Sequence, residues 1–391
     1  MTATALRSGI KVLMQFGSSP LAKSAAMRAP TLPAFEHNSH ARRVAAWLLV
    51  CCAMIFIMFV IGAVTRLTES GLSITEWKPI TGAIPPLTEQ AWQEEFAKYQ
   101  QIPEYLYVNR GMALAEFKMI FWWEYVHRLW GRLIGIVFLI PFAWFLIRGY
   151  IRGALAWKLG GVFLLGGLQG ALGWFMVTSG LVDRIDVSPY RLTAHLGMAV
   201  ALYGLVFWIA LDLLRPAAIG APRVKYLPAG AWALLALVFV TILSGGFVAG
   251  NDAGMTYNTF PLMDGHLVPA GYLDEAPWWR NLFENVAAVQ FNHRVLGITT
   301  FLSALAFAFA AARAGALRSL AAAIAGMALL QAALGISTLL LVVPVPLAAA
   351  HQAGAIILLT LVLAATHALR RSAVAVKPMP AGAAAPTART S

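Results

Sequence analysis

Glu124-Tyr125-Val126-His127-Arg128 returns in the second half of the chain as Gln290-Phe291-Asn292-His293-Arg294, each time at the head of a long apolar run. The correspondence continues on both sides. Leu168-Gln169-Gly170-Ala171-Leu172-Gly173 matches Leu330-Gln331-Ala332-Ala333-Leu334-Gly335, and Ala194-His195 matches Ala350-His351. Upstream, Ser70-Gly71-Leu72-Ser73 with Pro79-Ile80-Thr81-Gly82 resembles Ala253-Gly254-Met255-Thr256 with Pro261-Leu262-Met263-Asp264-Gly265. One such match is weak, but several in the same order and rough spacing indicate an internal repeat.

Composition says where the repeat lives. Of 391 residues 60% are hydrophobic and 12% charged, too apolar for a soluble domain. The net charge of +12 does not point to nucleic acid, because the basic residues fall in short clusters between apolar runs and not in one stripe. Cys51 and Cys52 are adjacent inside the first apolar run, which is neither a metal-binding spacing nor a loop disulfide.

Runs of bilayer-spanning length begin near Val44, Trp122, Leu159, Leu192, Leu227, His293, Leu320 and Leu347. The expected fold is therefore all-α, a polytopic membrane protein of eight helices arranged as two tandem four-helix bundles. Four helices return the chain to its starting side, so the repeats are parallel. The expected divisions are a tail at 1–42, a bundle at 43–215 with an outer loop at 66–118, a second bundle at 226–371 and a disordered, Ala- and Pro-rich tail at 372–391. Arg42 and Arg43, Arg148, Arg152 and Lys158, Arg215, Arg223 and Lys225, Arg313 and Arg318, and Arg370 and Arg371 all fall on one side, which places that side and both termini in the cytoplasm. The opposite loops are acidic or short. The segment before Glu36 is basic, Ser-containing and free of acids, a composition that suits an organellar transit peptide and a cytoplasmic tail equally. In the long outer loop, Thr88 opens a helix-like stretch with Trp92, Phe96 and Tyr99 on one face, suited to capping the bundle or to lying at the interface.

Four of the eight histidines, His127, His195, His293 and His351, occupy repeat-related places at the outer ends of the even-numbered membrane helices. A lone membrane histidine is more often a polar contact, but one pair per bundle suits a planar haem clamped between two imidazoles. Zinc would need three or four converging ligands, and neither half supplies them. Arg128 and Arg294 follow their histidines where haem propionates would emerge; interfacial snorkelling accounts for them equally well. His37, His40, His266 and His367 lack these features and read as surface residues. The repeat breaks at Glu124, whose counterpart Gln290 cannot ionise. Glu124 and His127 share a helix face, which assigns proton chemistry to the first bundle and electron supply to the second. An orienting role beside an imidazole or arginine is the plainer alternative.

At these residues the sequence resembles the heme A synthase family, in its alphaproteobacterial and mitochondrial branch. The resemblance spans about Val44 to Arg370 and rests on Gly62-Ala-Val-Thr-Arg-Leu-Thr-Glu-Ser-Gly-Leu-Ser, Glu124-Tyr-Val-His-Arg, Ala253-Gly-Met-Thr-Tyr-Asn-Thr-Phe-Pro-Leu-Met-Asp-Gly and Gln290-Phe-Asn-His-Arg. It implies oxidation of the C8 methyl of heme O to a formyl group, through successive hydroxylations to a geminal diol, to give heme A for cytochrome oxidase. It further implies heme b as resident cofactor on His293 and His351, heme O on His127 and His195, and Glu124 as the catalytic acid. Cysteine pairs found in the outer loops of some relatives are missing here, which leaves Glu69 and Glu76 as the loop acids to test. The implied partners are the bilayer and the heme O farnesyltransferase; a homo-oligomer is left open. The Ala-rich composition favours a bacterial inner membrane over a mitochondrial one. A diheme electron-transfer protein is the alternative that two histidine pairs also permit.

Overall fold

The structure, a computed structural model, describes residues 34–182, 184–214, 226–315 and 317–375. Two compact units are distinguished, Met1–His40 and Ala41–Ser391. Of the first only the helical residues 34–40 are described, and all that follows concerns the second. Residues 1–33 and 376–391, the body of both expected tails, lie outside the described residues, as do the basic residues Arg215, Arg223 and Lys225.

Ten α-helices are described: α1 (Ala34–Leu67), α2 (Glu89–Tyr99), α3 (Pro103–Tyr107), α4 (Leu114–Ile147), α5 (Gly153–Val177), α6 (Pro189–Leu214), α7 (Leu227–Gly250), α8 (Val286–Arg313), α9 (Arg318–Leu340) and α10 (Val345–Ala375). All but α2 and α3 are long and apolar enough to cross a membrane, which gives the eight spans expected. A bilayer core offers backbone amides no water, so apolar runs of this length satisfy them internally as helices. Several helices start earlier than hydropathy indicates. α4 begins at Leu114, where Glu116 Oε2 accepts from the Ala113 N–H at 2.8 Å, and α8 begins at Val286, where the Asn285 side chain accepts from the Ala288 N–H at 3.1 Å. Caps set these starts, and hydropathy does not register them. His127 consequently sits several turns inside α4 and not at its outer end. α10 likewise runs on to Ala375, into the segment expected to be a tail.

In the second half α7, α8, α9 and α10 pack in a closed ring, each against the next and α10 against α7. In the first half α4 packs on α5 and α5 on α6. α1 reaches α4 through side chains: Trp47 Nε1 donates to the Val137 carbonyl and Trp130 Nε1 to that of Met54, both at 2.9 Å, and Trp47 lies against Phe138. The halves meet where α6 packs on α7. A Cβ on Gly246 would fall 2.9 Å from Thr193 Oγ1 and one on Gly250 would fall 2.8 Å from Pro189 Cα, so these glycines let the backbones approach as small residues do between membrane helices. α6 also packs on α10, and α1 reaches α10 where Gln352 Nε2 donates to the Phe59 carbonyl at 2.9 Å. Thr88 caps α2 as expected, and Trp92, Phe96 and Tyr99 pack on Phe117 and Phe121 of α4, so α2 covers the first turns of α4.

Candidate functional site: two histidine pairs

In the first half His127 of α4 and His195 of α6 lie within electrostatic range of each other, as do His293 of α8 and His351 of α10 in the second. Each imidazole lies against a glycine of a neighbouring helix. A Cβ on Gly62 or Gly245 would stand 3.2 Å from Cε1 of His127 or His293; on Gly173 and Gly335 it would stand 2.9 and 2.7 Å from Cε1 of His195 and His351. Any larger residue would displace the ring, so these four glycines seat four imidazoles. Gln169 Nε2 lies 3.1 Å from His195 Nδ1 and donates to the His195 carbonyl at 3.0 Å; Gln331 repeats this on His351 at 3.1 and 2.9 Å.

The pairs differ at the remaining ring nitrogens. Ser244 Oγ donates to the Thr241 carbonyl at 2.8 Å and lies 2.7 Å from His293 Nδ1. With its proton already committed, the hydroxyl accepts from Nδ1–H, which leaves His293 Nε2 unprotonated and free for a metal. The repeat counterpart of Ser244 is Ile61, and the buried Nδ1 of His127 has no partner. Gln169 Oε1 and Gln331 Oε1 are likewise buried without partners. A half-turn of either carboxamide would bring that oxygen onto an Nδ1–H, again freeing Nε2, at the expense of the bond to the histidine carbonyl. Paired imidazoles seated on glycine, three of the four with a hydrogen-bond partner on the Nδ1 side, fit axial ligation of haem iron. Among the described residues no three His, Cys, Asp or Glu side chains converge as a zinc cage requires.

Three residues before His127 and His293 lies the position where the repeat breaks. Glu124, buried in α4, accepts from Ser73 Oγ and the Ile74 N–H, both at 2.7 Å, and from Arg128 Nε and Nη2 at 3.0 and 2.6 Å. Gln290, equally buried, donates through Nε2 to the carbonyls of Ala253 and Thr256 and accepts from Arg294 at 3.0 Å. The guanidiniums hold the outer loops: Arg128 donates to the carbonyls of Ile74 and Glu76, and Arg294 to those of Tyr257 and Thr259.

Of the loop acids, Glu76 bonds Lys78 and Lys98, which hold its carboxyl down to about 2. Glu69 is exposed at φ 52°; its repeat counterpart Asp252, at φ 50°, takes both 2.8 Å bonds from Arg66. His367 is not a surface residue. It is buried in α10, 2.9 Å from Asp212 Oδ1 and edge-on to Trp208, because a neutral or paired imidazole packs readily between helices. Sequence reading assigned no role to Ser244, Gln169, Gln331 or the four glycines. Their signal was present, since Gln169, Gln331, Gly173 and Gly335 belong to the repeated motif itself.

Fold and site together define a multi-pass membrane protein with two histidine pairs of the kind that ligate haem. Residues 45–363 match the COX15-CtaA family, described as cytochrome oxidase assembly protein. The chain is 57% identical over 332 residues to heme A synthase of Rhodospirillum centenum, covering 84% of this chain and 89% of the relative. It is 53% identical to that of Nitrosospira multiformis (84% and 94% covered) and 52% to that of Paramagnetospirillum magneticum (85% and 96%). The chain belongs to this heme A synthase family.

Proposed function

We propose that the chain is a heme A synthase, oxidising the C8 methyl of heme O to the formyl group of heme A for cytochrome oxidase. His127 and His195 hold the substrate haem in an N-terminal bundle, and His293 and His351 hold heme b in a C-terminal one, the two being pseudo-symmetric. Heme b, when bound, supplies one-electron exchange. The division rests above all on Glu124 against Gln290: beside His127 stands a carboxylate able to take and return a proton, and beside His293 a neutral amide. The Nδ1 partners agree with it. Ser244 fixes His293 as a permanent ligand needs, and His127 lacks such a restraint, which suits a haem that enters and leaves. Arg128 and Arg294 hold the outer loops through their carbonyls, and the unpartnered Nε of Arg294 would be available to a haem propionate. Both termini are cytoplasmic in a bacterial inner membrane, and direct transfer from the heme O farnesyltransferase keeps a hydrophobic substrate out of the lipid.

Haem extraction from protein expressed with a heme O source tests the reading. Wild type yields heme B with heme A or its hydroxylated precursor; Glu124→Gln keeps heme B and accumulates heme O; His293→Ala loses heme B. Two equivalents of heme B per chain with heme O never altered would make the protein a diheme electron carrier and sink the proposal.

A further inference from the structure

Glu104, the second residue of α3, lies in the loop that covers the N-terminal half, and the repeat gives it no counterpart. It is 4% exposed, and its Oε2 is buried with no partner. Its Oε1 receives a long bond, 3.5 Å, from Asn109 Nδ2, which also donates to Tyr99 OH at 2.8 Å. The Tyr99 hydroxyl nearby is fully buried. Three further acids lie within electrostatic range of Glu104: Asp186 from the loop before α6, Glu124 from α4 and Glu69 from the turn after α1. They differ in access to water. Glu124 is 3% exposed, Glu69 is exposed, and Asp186 lines an open outer cleft with Arg184, Asn251 and Asp252. The cations near the outer end, Arg66 and Arg184, face Asp186.

Glu124 is buried with donors on both oxygens. Glu104 is instead buried half-satisfied among other acids, the setting in which a carboxyl holds a proton and can release it. We propose that Glu104 is the proton relay between Glu124 and the outer aqueous phase. A proton leaving Glu124 is taken up at Glu104 as the proton already there passes to Asp186 or Glu69 and so to water; no electrons move. The relay rests on Glu124 being the acid of the reaction, and Glu104, acting through it, is a positioning residue. Desolvation and then the charge of Asp186 push the Glu104 carboxyl up to about 8, which keeps it protonated at neutral pH.

The test is the rate of heme O conversion by the full-length, heme B-loaded protein between pH 6 and 9. Glu104→Gln, which keeps the shape of the protonated acid, should lower the rate by about 100-fold, the low end for a lost proton-transfer group, and flatten the profile near pH 8. Glu104→Asp should restore part of both. Tyr99→Phe, which removes a buried hydroxyl that favours the ionised form of Glu104, should move the profile to higher pH without depending on the Glu104 variants folding. A wild-type rate and profile in Glu104→Gln, or a slower rate with an unmoved profile that Glu104→Asp does not rescue, overturns the relay. If Glu124→Gln also converts heme O at the wild-type rate, the parent assignment fails; if only Glu104→Gln does, the relay alone fails.

Discussion

The two halves place the same helices and the same histidines around opposite hydrogen-bond polarities. In the first, the outer loop turns donors inward, Ser73 Oγ–H and the Ile74 N–H, and they meet the carboxylate of Glu124. In the second, the loop turns the carbonyls of Ala253 and Thr256 inward, and they meet the amide of Gln290. A single exchange of acid for amide thus comes with a loop that suits it, because a buried carboxylate facing carbonyls or an amide facing only donors would leave groups unsatisfied. Packing differs in the same sense. Only 6% of the apolar window of α4 is buried against 28% for its counterpart α8, and α1 and α4 meet mainly through side chains where α7 and α8 pack closely. A looser half suits a haem that comes and goes, and a closed one suits a haem that stays.

Gln290→Glu breaks this complementarity most severely. It sets a carboxylate against two carbonyls, and even with Arg294 beside it the cost should be roughly 3 kcal/mol, the scale of an uncompensated buried charge. A lowered thermal midpoint for heme B release would register it; an unchanged midpoint would show that loop polarity does not discriminate the halves. Ser244→Ala comes next. Removing the Nδ1 partner of His293 should weaken heme B retention about tenfold, measured by transfer to an apo-haem-protein acceptor, and bring His293 nearer to His127. Unaltered retention would remove the hydroxyl from the argument for permanence. The smallest effect belongs to Glu76→Gln. Its side chain is 45% exposed, so the loss should stay below about 1 kcal/mol despite two lysine partners. Lys78 and Lys98 depress this carboxyl in the fold, so its contribution is present above pH 4.5 and fades as pH falls toward 2. An acid-unfolding curve that Glu76→Gln leaves superimposed on wild type at low pH, and slightly destabilised above pH 4.5, is the expected result.

Much of the site could be read from the chain because a tandem repeat acts as its own comparison. Four scattered histidines became two pairs once the halves were superimposed, and Glu124 stood out because Gln290 occupies its place. Ser244 escaped notice for the opposite reason: Ile61 is unremarkable in an apolar run, and only the approach of α7 to α8 gives the hydroxyl an imidazole to meet. His367 was misjudged because its partner Asp212 lies on another helix, far away in sequence. Helix starts were misplaced where a cap outran the apolar run, as at Leu114 and Val286.

By itself the sequence determined the membrane class, the number of spans, the repeat and which histidines pair, since each follows from local hydropathy, periodicity or motif order. The tertiary structure decided which ring nitrogen each neighbour holds, which loop groups face Glu124 and Gln290, and that Glu104 is buried within electrostatic range of three other acids. Those properties depend on distances between residues on separate helices and loops, and such distances are set only when the elements pack.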